Sequence, residues 1–148
     1  MIRAAKIQDI PDIIQVIHAS IRSCVEDHQR RESAVQVYLE NISQQKLLLW
    51  MHYNDSWVHV INNHILGFIL VSDYGKILLH YVAPEVQKQG IGKSLLFYVL
   101  EQAQAQKHRI TLDSTQTALA FYQKFGFKTR ISGRINKNSI ALIHAINS

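Results

Sequence analysis

The part of the sequence best suited to chemistry is a glycine-containing segment between an apolar strand and an amphipathic helix. It reads Gln87-Lys88-Gln89-Gly90-Ile91-Gly92-Lys93-Ser94. The N–H groups in the first turn of a helix have no partner within the helix, and together with the helix dipole they attract an anion. Gly90 and Gly92 place no side chain between the backbone and a pyrophosphate. The segment therefore indicates a phosphate-binding loop, and an ordinary strand-to-helix turn is the alternative.

The spacing of this segment differs from the two best-known glycine-rich phosphate loops. The dinucleotide-binding pattern Gly-x-Gly-x-x-Gly needs a third glycine where Leu95 stands. A P-loop needs a glycine five positions before Gly92, and Gln87 stands there. Neither a Rossmann nucleotide site nor a P-loop nucleotide site is predicted.

Two separated motifs resemble those of one enzyme family, the GCN5-related N-acetyltransferases (GNAT). A strand ending in Tyr81-Val82-x-Pro84 and followed by Gln-x-x-Gly-x-Gly is similar to the family's acetyl-coenzyme A signature. The segment from Ala118 to Phe127 is similar to the later motif Ala-x-x-Phe-Tyr-x-Lys-x-Gly-Phe. The motifs cover about a third of the chain at the family's usual separation. The resemblance implies an acyltransferase that moves an acetyl group from acetyl-coenzyme A to a primary amine by direct transfer in a ternary complex.

The resemblance also implies how the cofactor is held. The backbone from Gln87 to Lys93 would bind the pyrophosphate, and the strand around Val82 would pair with the pantetheine arm and offer an N–H to the thioester oxygen. Thr115 stands where many members have an asparagine that bonds pantetheine, and its hydroxyl can still make one hydrogen bond. The cofactor-binding residues expected from the resemblance are Tyr81, Val82, Ala83, Gln87, Lys88, Gln89, Gly90, Ile91, Gly92, Lys93, Ser94, Thr115 and Tyr122.

Tyr122 matches the family's tyrosine that acts as general acid. The resemblance implies that its hydroxyl protonates the departing coenzyme A thiolate, which leaves more easily when an acid lies beside the sulfur. Helical spacing puts Tyr122 on one face with Ala118 and Phe125, so an aromatic residue of the core is the alternative interpretation.

No motif in the sequence identifies the general base. An amine must lose a proton before or during attack, and a carboxylate, an imidazole or a chain of waters can accept it. Glu26 lies between the first two predicted helices, where this family usually builds its acceptor pocket. His80 lies on the strand beside the expected thioester, and strand alternation puts its side chain opposite that of Tyr81. These two residues and a water chain remain the candidates.

The elements that must position these residues follow the order β-α-α-β-β-β-α-β-α-β-β. Isoleucines spaced as on a helix from Ile10 to Ile21 predict the first helix, and a second is expected over Ser33 to Ile42. Strand character is expected from Leu47 onward, with a hairpin turn at Asn62-Asn63. The later elements are expected as strands at Ile77–Val82 and Arg109–Leu112, helices at Gly90–Gln106 and Thr117–Phe125, and a strand pair at Phe127–Ile131 and Ile140–Ile146.

This order predicts an α+β (mixed α/β) fold with one central sheet. By resemblance, the sheet would be mixed but mostly antiparallel, with six to seven strands, about four helices, and a splay between the fourth and fifth strands. Residues 1–148 would form a single N-acetyltransferase domain. A homodimer is possible, with the strand Ile140 to Ile146 pairing across it.

The composition indicates the cellular compartment in which the protein is expected. Hydrophobic residues make up 47% of the 148 residues, enough for a sizeable core. Cys24 is the only cysteine, so no disulfide can form within the chain and a reducing compartment suits it. No window approaches the roughly 18 apolar residues of a membrane span. A cytoplasmic protein with no membrane partner is predicted.

The distribution of charged residues limits the kinds of partner that the protein is expected to bind. The net charge is +5, but lysines and arginines are scattered without the runs typical of nucleic-acid arms. Nucleic acid is therefore expected only as a possible carrier of the acceptor amine. The eight histidines lack metal-binding spacing, so no metal is expected. The alternative function is a regulatory module that senses acetyl-coenzyme A without turnover.

Overall fold

The computed structural model of the protein describes residues 1–23, 42–106, 109–114, 116–136 and 139–144. The strands are β1 (Ile2–Ala4), β2 (Asp55–Ile61), β3 (His64–Val71), β4 (Lys76–Val82), β5 (Ile110–Ser114), β6 (Phe127–Asn136) and β7 (Ser139–His144). The α-helices of these ranges are α1 (Ile10–Ser23), α2 (Gln44–Tyr53), α3 (Ile91–Ala105) and α4 (Gln116–Lys124). Short 3-10 turns lie at Ile7–Asp9 and Pro84–Val86.

All seven strands belong to one sheet in the order β1-β2-β3-β4-β5-β7-β6. Neighbouring strands are antiparallel except β4 and β5, which are parallel because α3 connects them as a crossover. This confirms the predicted mixed α+β fold. It places the glycine segment at the start of the crossover helix, next to the sheet's parallel pair.

Each face of the sheet is covered by helices. On one face, buried isoleucines of α1 pack with Leu47 of α2 and with Val58, Phe68 and Leu70 of the sheet. On the other face, Leu95, Leu96 and Val99 of α3 pack against a second core that includes Tyr122 and Phe127. The isoleucine spacing predicted for the first helix is therefore the spacing of its buried stripe.

The predicted hairpin turn at Asn62-Asn63 is confirmed. Asn62 and Asn63 both have positive φ, 51° and 64°, as the two central residues of a type I′ hairpin turn require. Gly126 follows α4 with φ of 97°, the left-handed conformation that glycine allows after a helix.

The predicted strand character from Leu47 onward is wrong, since this segment forms α2. Ser43 caps the helix, and its hydroxyl accepts the N–H of Lys46 at 3.2 Å. Leu47 is fully buried, and Trp50 and Met51 follow at the i+3 and i+4 positions that pack against the same core. The run from Leu47 to Met51 is apolar at every position, so it has no alternation to separate a strand from a helix.

The predicted pairing of the strand Ile140 to Ile146 with a second copy is also wrong, whereas the homodimer itself stays a prediction. β7 lies between β5 and β6 and is hydrogen-bonded to both, so neither of its edges is available to a second copy. The helix expected over Ser33 to Ile42 lies outside the described residues, except for Ile42. Within the described ranges, no helix has both the length and the apolar character needed to cross a bilayer.

Candidate active site

The sheet opens between β4 and β5. These strands pair only at Lys76↔Thr111 and Ile77↔Leu112, whereas β4 remains paired with β3 as far as Gly67↔Val82. Beyond Ile77, the edge of β4 that faces β5 has no partner among the described strands. This confirms the predicted splay between the fourth and fifth strands, and it leaves a slot lined by backbone groups.

Backbone polarity along β4 identifies the groups that face the slot. The N–H of Ala83 donates to the carbonyl of Leu66 at 2.9 Å, on the β3 side. Because backbone groups of successive residues alternate between the two edges of a strand, the N–H and C=O of Val82 face the slot. The side-chain amide of Gln87 donates to the Val82 carbonyl at 3.2 Å. This contact joins the glycine segment to the end of β4.

The glycine segment forms a loop that leads into α3. Lys88 and Gly90 both have positive φ, 68° and 88°, and Gly90 is the residue that precedes the helix. The N–H of Ser94 donates to the Gly90 carbonyl at 2.9 Å, while helix geometry leaves the N–H groups of Ile91, Gly92 and Lys93 without an acceptor inside the helix. Nothing lies within 4 Å of the position where a Cβ of Gly90 would stand. The loop therefore offers space and N–H groups to an anion.

A chain of hydrogen bonds connects this loop to α4. His80 Nδ1 lies 2.9 Å from the Tyr122 hydroxyl, and His80 Nε2 lies 3.1 Å from the Gly92 carbonyl. A carbonyl can only accept, so Nε2 carries the hydrogen. Burial lowers the pKa of His80 to about 4, although the Gly92 carbonyl opposes this shift. The ring is then neutral at physiological pH, and Nδ1 accepts the hydrogen of the Tyr122 hydroxyl.

Tyr122 combines the two interpretations that the sequence left open. Its ring is buried in the core and meets the ring of Phe127 edge-on, with centroids 5.6 Å apart. Its hydroxyl lies 2.9 Å from Nδ1 of His80, on β4. Burial and, second, the nearby Tyr81 raise the pKa of Tyr122, so the phenol stays protonated. It is a core aromatic residue with a proton donor at its tip.

The other predicted site residues are only partly brought together. Tyr81 packs with the α1 side of the sheet, on the face opposite His80, as strand alternation predicted. Lys93 extends over the rings of Phe97 and Phe125, with its ammonium nitrogen 5.6 Å and 5.8 Å from their centroids. Glu26 and Thr115 lie outside the described residues. No group of three metal-ligating side chains occurs among the residues that the structure describes.

Two contacts of the site were missed by sequence reasoning. The resemblance assigns Gln87 a role through its backbone only, whereas its side-chain amide also donates a hydrogen bond to the Val82 carbonyl. The pairing of His80 with Tyr122 joins residues 42 positions apart, so no local spacing reveals it. The available signal was a histidine placed in an otherwise mainly apolar strand, next to the motif that ends at Pro84.

The seven-stranded mixed sheet, which opens between its two parallel strands and continues into a crossover helix, is a GNAT-like fold. The sequence matches the acetyltransferase (GNAT) domain family over residues 24–144. Because the match covers most of the chain, the protein belongs to the GNAT acetyltransferase family.

Two proteins of Escherichia coli (strain K12) are similar in sequence. The uncharacterized N-acetyltransferase YafP is 26% identical over 101 residues, which cover 61% of this chain and 64% of YafP. The peptidyl-lysine N-acetyltransferase YiaC is 32% identical over 72 residues, which cover 49% of each chain. The chain thus spans less than two thirds of the length of either relative.

A solved structure supports the fold. The PaiA N-acetyltransferase of Thermoplasma acidophilum, determined in complex with coenzyme A, is 20% identical to this chain. The two align with a TM-score of 0.87 over 97% of each chain. At this level of identity, the likeness establishes the fold and not the substrate.

Proposed function

We propose that this protein is an N-acetyltransferase that moves the acetyl group of acetyl-coenzyme A to a primary amine by direct transfer in a ternary complex. The observation that carries the proposal is the slot between β4 and β5, whose β4 edge has no strand partner beyond Ile77 and is joined to the loop before α3 by the contact of Gln87 with Val82. Membership of an acetyltransferase family supports the same reaction. The Tyr122 hydroxyl, held 2.9 Å from Nδ1 of His80 on β4, supports turnover over a sensor that only binds the cofactor.

The cofactor fits this slot by its chemistry. Its pyrophosphate would accept hydrogen bonds from backbone N–H groups of the segment Gln87 to Lys93, where Gly90 leaves open space and Lys88 adds positive charge. Its pantetheine amides would pair with the free edge of β4 at Val82, between Tyr81 and Ala83, in the manner of an added strand. Thr115, which follows β5 in the sequence, would supply one further hydrogen bond.

The reaction needs an oxyanion donor and an acid. The amine nitrogen attacks the thioester carbon, and the Val82 N–H stabilises the negative charge that forms on the carbonyl oxygen. When the carbon–sulfur bond breaks, the Tyr122 hydroxyl gives its proton to the sulfur, and solvent returns a proton to the phenolate. The amine nitrogen releases its own proton to a base, for which His80, Glu26 and a water chain stay as predictions.

The acceptor is proposed as a class only. The relative YiaC is named for acetylation of peptidyl-lysine. A lysine side chain is therefore the first amine to screen here, followed by small amines, peptide N-termini and aminoacyl groups carried on RNA.

We also propose a cytoplasmic setting, supported by the single cysteine. Sedimentation at several protein concentrations tests whether two copies associate.

Calorimetry with acetyl-coenzyme A tests the cofactor site. We expect micromolar binding by the wild type and none by the Gly90→Glu/Gly92→Glu double variant, whose side chains fill the loop and repel phosphate. The matched control, Gly90→Gln/Gly92→Gln, adds the same bulk without charge and should keep part of the affinity if electrostatics contribute. Absence of binding by a folded wild-type protein overturns the proposal, and the loop is then an ordinary strand-to-helix turn.

A further inference from the structure

His80 is held at both ring nitrogens by groups from two different helices. Nδ1 meets the hydroxyl of Tyr122 on α4 at 2.9 Å, and Nε2 meets the carbonyl of Gly92 in the first turn of α3 at 3.1 Å. Phe121 lies against both rings of the pair, with centroids 6.2 Å from His80 and 5.2 Å from Tyr122. The imidazole therefore bridges the loop that would bind the pyrophosphate and the residue that would act as acid.

The glycine at position 92 is shaped for this bridge. A Cβ there would lie 3.6 Å from His80 Nε2 and 3.3 Å from Cγ2 of Val82. The second distance is tighter than an ordinary van der Waals contact, so a side chain would push on the face of β4 that carries His80 and Val82. Gly92 thus lets the ring reach the carbonyl, apart from any part it has in binding phosphate.

Donor and acceptor roles follow from this geometry. The Gly92 carbonyl fixes the hydrogen on Nε2, which leaves the lone pair of Nδ1 for the phenolic hydrogen. An imidazole with both nitrogens occupied has no free lone pair for the amine. The bridge thus favours a supporting role for His80 over the base that its position in the sequence suggested.

We propose that His80 is a positioning residue that holds the Tyr122 hydroxyl beside the slot and ties it to the first turn of α3. This inference rests on the proposed acid role of Tyr122. His80 keeps the phenolic oxygen in one place while the cofactor binds. When a thiolate forms in the slot, the hydrogen turns from Nδ1 to the sulfur, because a thiolate is an anionic acceptor and the hydroxyl rotates freely.

A double-mutant cycle on kcat tests the inference, using acetyl-coenzyme A and an amine found in the acceptor screen. Tyr122→Phe should lower kcat about 100-fold through loss of the acid. His80→Leu should lower kcat about 10-fold with the KM for acetyl-coenzyme A nearly unchanged, and should have no further effect in the Tyr122→Phe background. Equal effects of His80→Leu in both backgrounds overturn the positioning role and support the base.

Two further variants separate positioning from packing. His80→Asn offers an amide oxygen near the place of Nδ1, so we expect it to restore most of the kcat that His80→Leu loses. His64→Leu is the matched control, because His64 is exposed at the hairpin and should leave kcat unchanged. If His80→Asn is as slow as His80→Leu, the hydrogen bond to Tyr122 does not explain the effect. If Tyr122→Phe is as fast as the wild type, the acid role itself fails.

The bridge can also be measured without an acceptor. Nitrogen-15 NMR of histidine-labelled protein distinguishes the two neutral tautomers, and we expect His80 to carry its hydrogen on Nε2 at neutral pH. Tyr122→Phe should then shift the Nδ1 resonance, because that nitrogen loses its donor. A hydrogen on Nδ1, or a resonance that Tyr122→Phe leaves in place, overturns the inference.

Discussion

Along β4, the edge that faces β3 is paired from Ile77 to Val82, whereas the edge that faces β5 loses its partner after Ile77. The paired edge fixes the strand in the sheet, and its N–H groups are committed, as that of Ala83 is to Leu66. The open edge leaves the Val82 N–H available. One strand can therefore serve as scaffold and as binding surface, because successive residues turn their polar groups to opposite edges.

The junction where β5 leaves β4 is built differently from the slot. The N–H of Thr111 donates to the Gly75 carbonyl at 2.9 Å, and Lys76 forms an ion pair with Asp113 at 2.8 Å. These contacts close the sheet at the start of β4. The comparison predicts that changes in the slot affect catalysis, whereas changes at the junction affect stability.

The largest effect is expected from Val82→Pro, which removes the N–H that faces the slot. Loss of one oxyanion donor should lower kcat about 100-fold to 1000-fold. Val82→Ala is the matched control, because it keeps the N–H and trims only the side chain. Steady-state rates and melting temperatures of both variants check this. Equal rates for the two variants would mean that the open edge of β4 takes no part in the reaction.

The pKa of His80 reports how well the open side of β4 is shielded. Burial lowers the pKa from 6.5 to about 4, so between these values the unfolded state binds more protons than the folded state. The titration of His80 therefore leaves the free energy of unfolding unchanged above pH 6.5 and lowers it as the pH drops towards 4. Between those two pH values the free energy of unfolding falls by about 3 kcal/mol, from the size of the pKa shift.

Urea unfolding at a series of pH values measures this term. His80→Asn does not titrate, so we expect its stability to fall less than that of the wild type between pH 6.5 and 4. His59, whose pKa burial also lowers, is present in both proteins and cancels in the difference. If the stability of the two proteins depended on pH in the same way, the pKa of His80 would not be lowered in the folded state and its ring would not be shielded from water.

Gly75 at the junction and Gly90 in the loop have the same φ of 88°, but they differ in the space around them. A Cβ on Gly75 would overlap the carbonyl oxygen of Arg109, whereas a Cβ on Gly90 would meet nothing within 4 Å. Gly75→Ala should lower the free energy of unfolding by about 2 kcal/mol, through backbone strain and overpacking at the junction. Gly90→Ala should lower it by only about 1 kcal/mol, through strain alone. Equal losses in urea unfolding would contradict the difference between the two regions.

The fold was predictable where local patterns decide it. The Asn62-Asn63 turn and the isoleucine stripe of α1 each depend on a few neighbouring residues. The failure at α2 came from an unbroken apolar run, for which neither a period of 2 nor one of 3.6 can be recognised. The cap at Ser43 was the signal that decides between them.

The site was predictable only as far as its motifs extend. The loop at Gly90 and Gly92 lies within one short segment, so sequence spacing locates it. The bridge from His80 to Tyr122 depends on how the crossover brings α4 over β4, and no spacing encodes that distance. The open state of the slot is a property of two strands together. Its position was implied by family resemblance, and physical reasoning from β4 or β5 alone would not have found it.

The smallest effect is expected at the ion pair between Lys76 and Asp113. Both side chains are about one third exposed, 32% and 28%, so a cycle of Lys76→Met and Asp113→Ala should give a coupling free energy of about 0.5 kcal/mol. Added salt should reduce it further. The pair between Arg3 and Asp9 is a useful control, because its two hydrogen bonds, at 2.8 Å and 3.0 Å, involve a carboxylate that is nearly buried and should couple more strongly. A coupling at Lys76 that is as large as at Arg3, and insensitive to salt, would mean that side chains hold β4 and β5 together. A small one means that the backbone contact at Gly75 does so, and that the slot begins where the main-chain pairing ends.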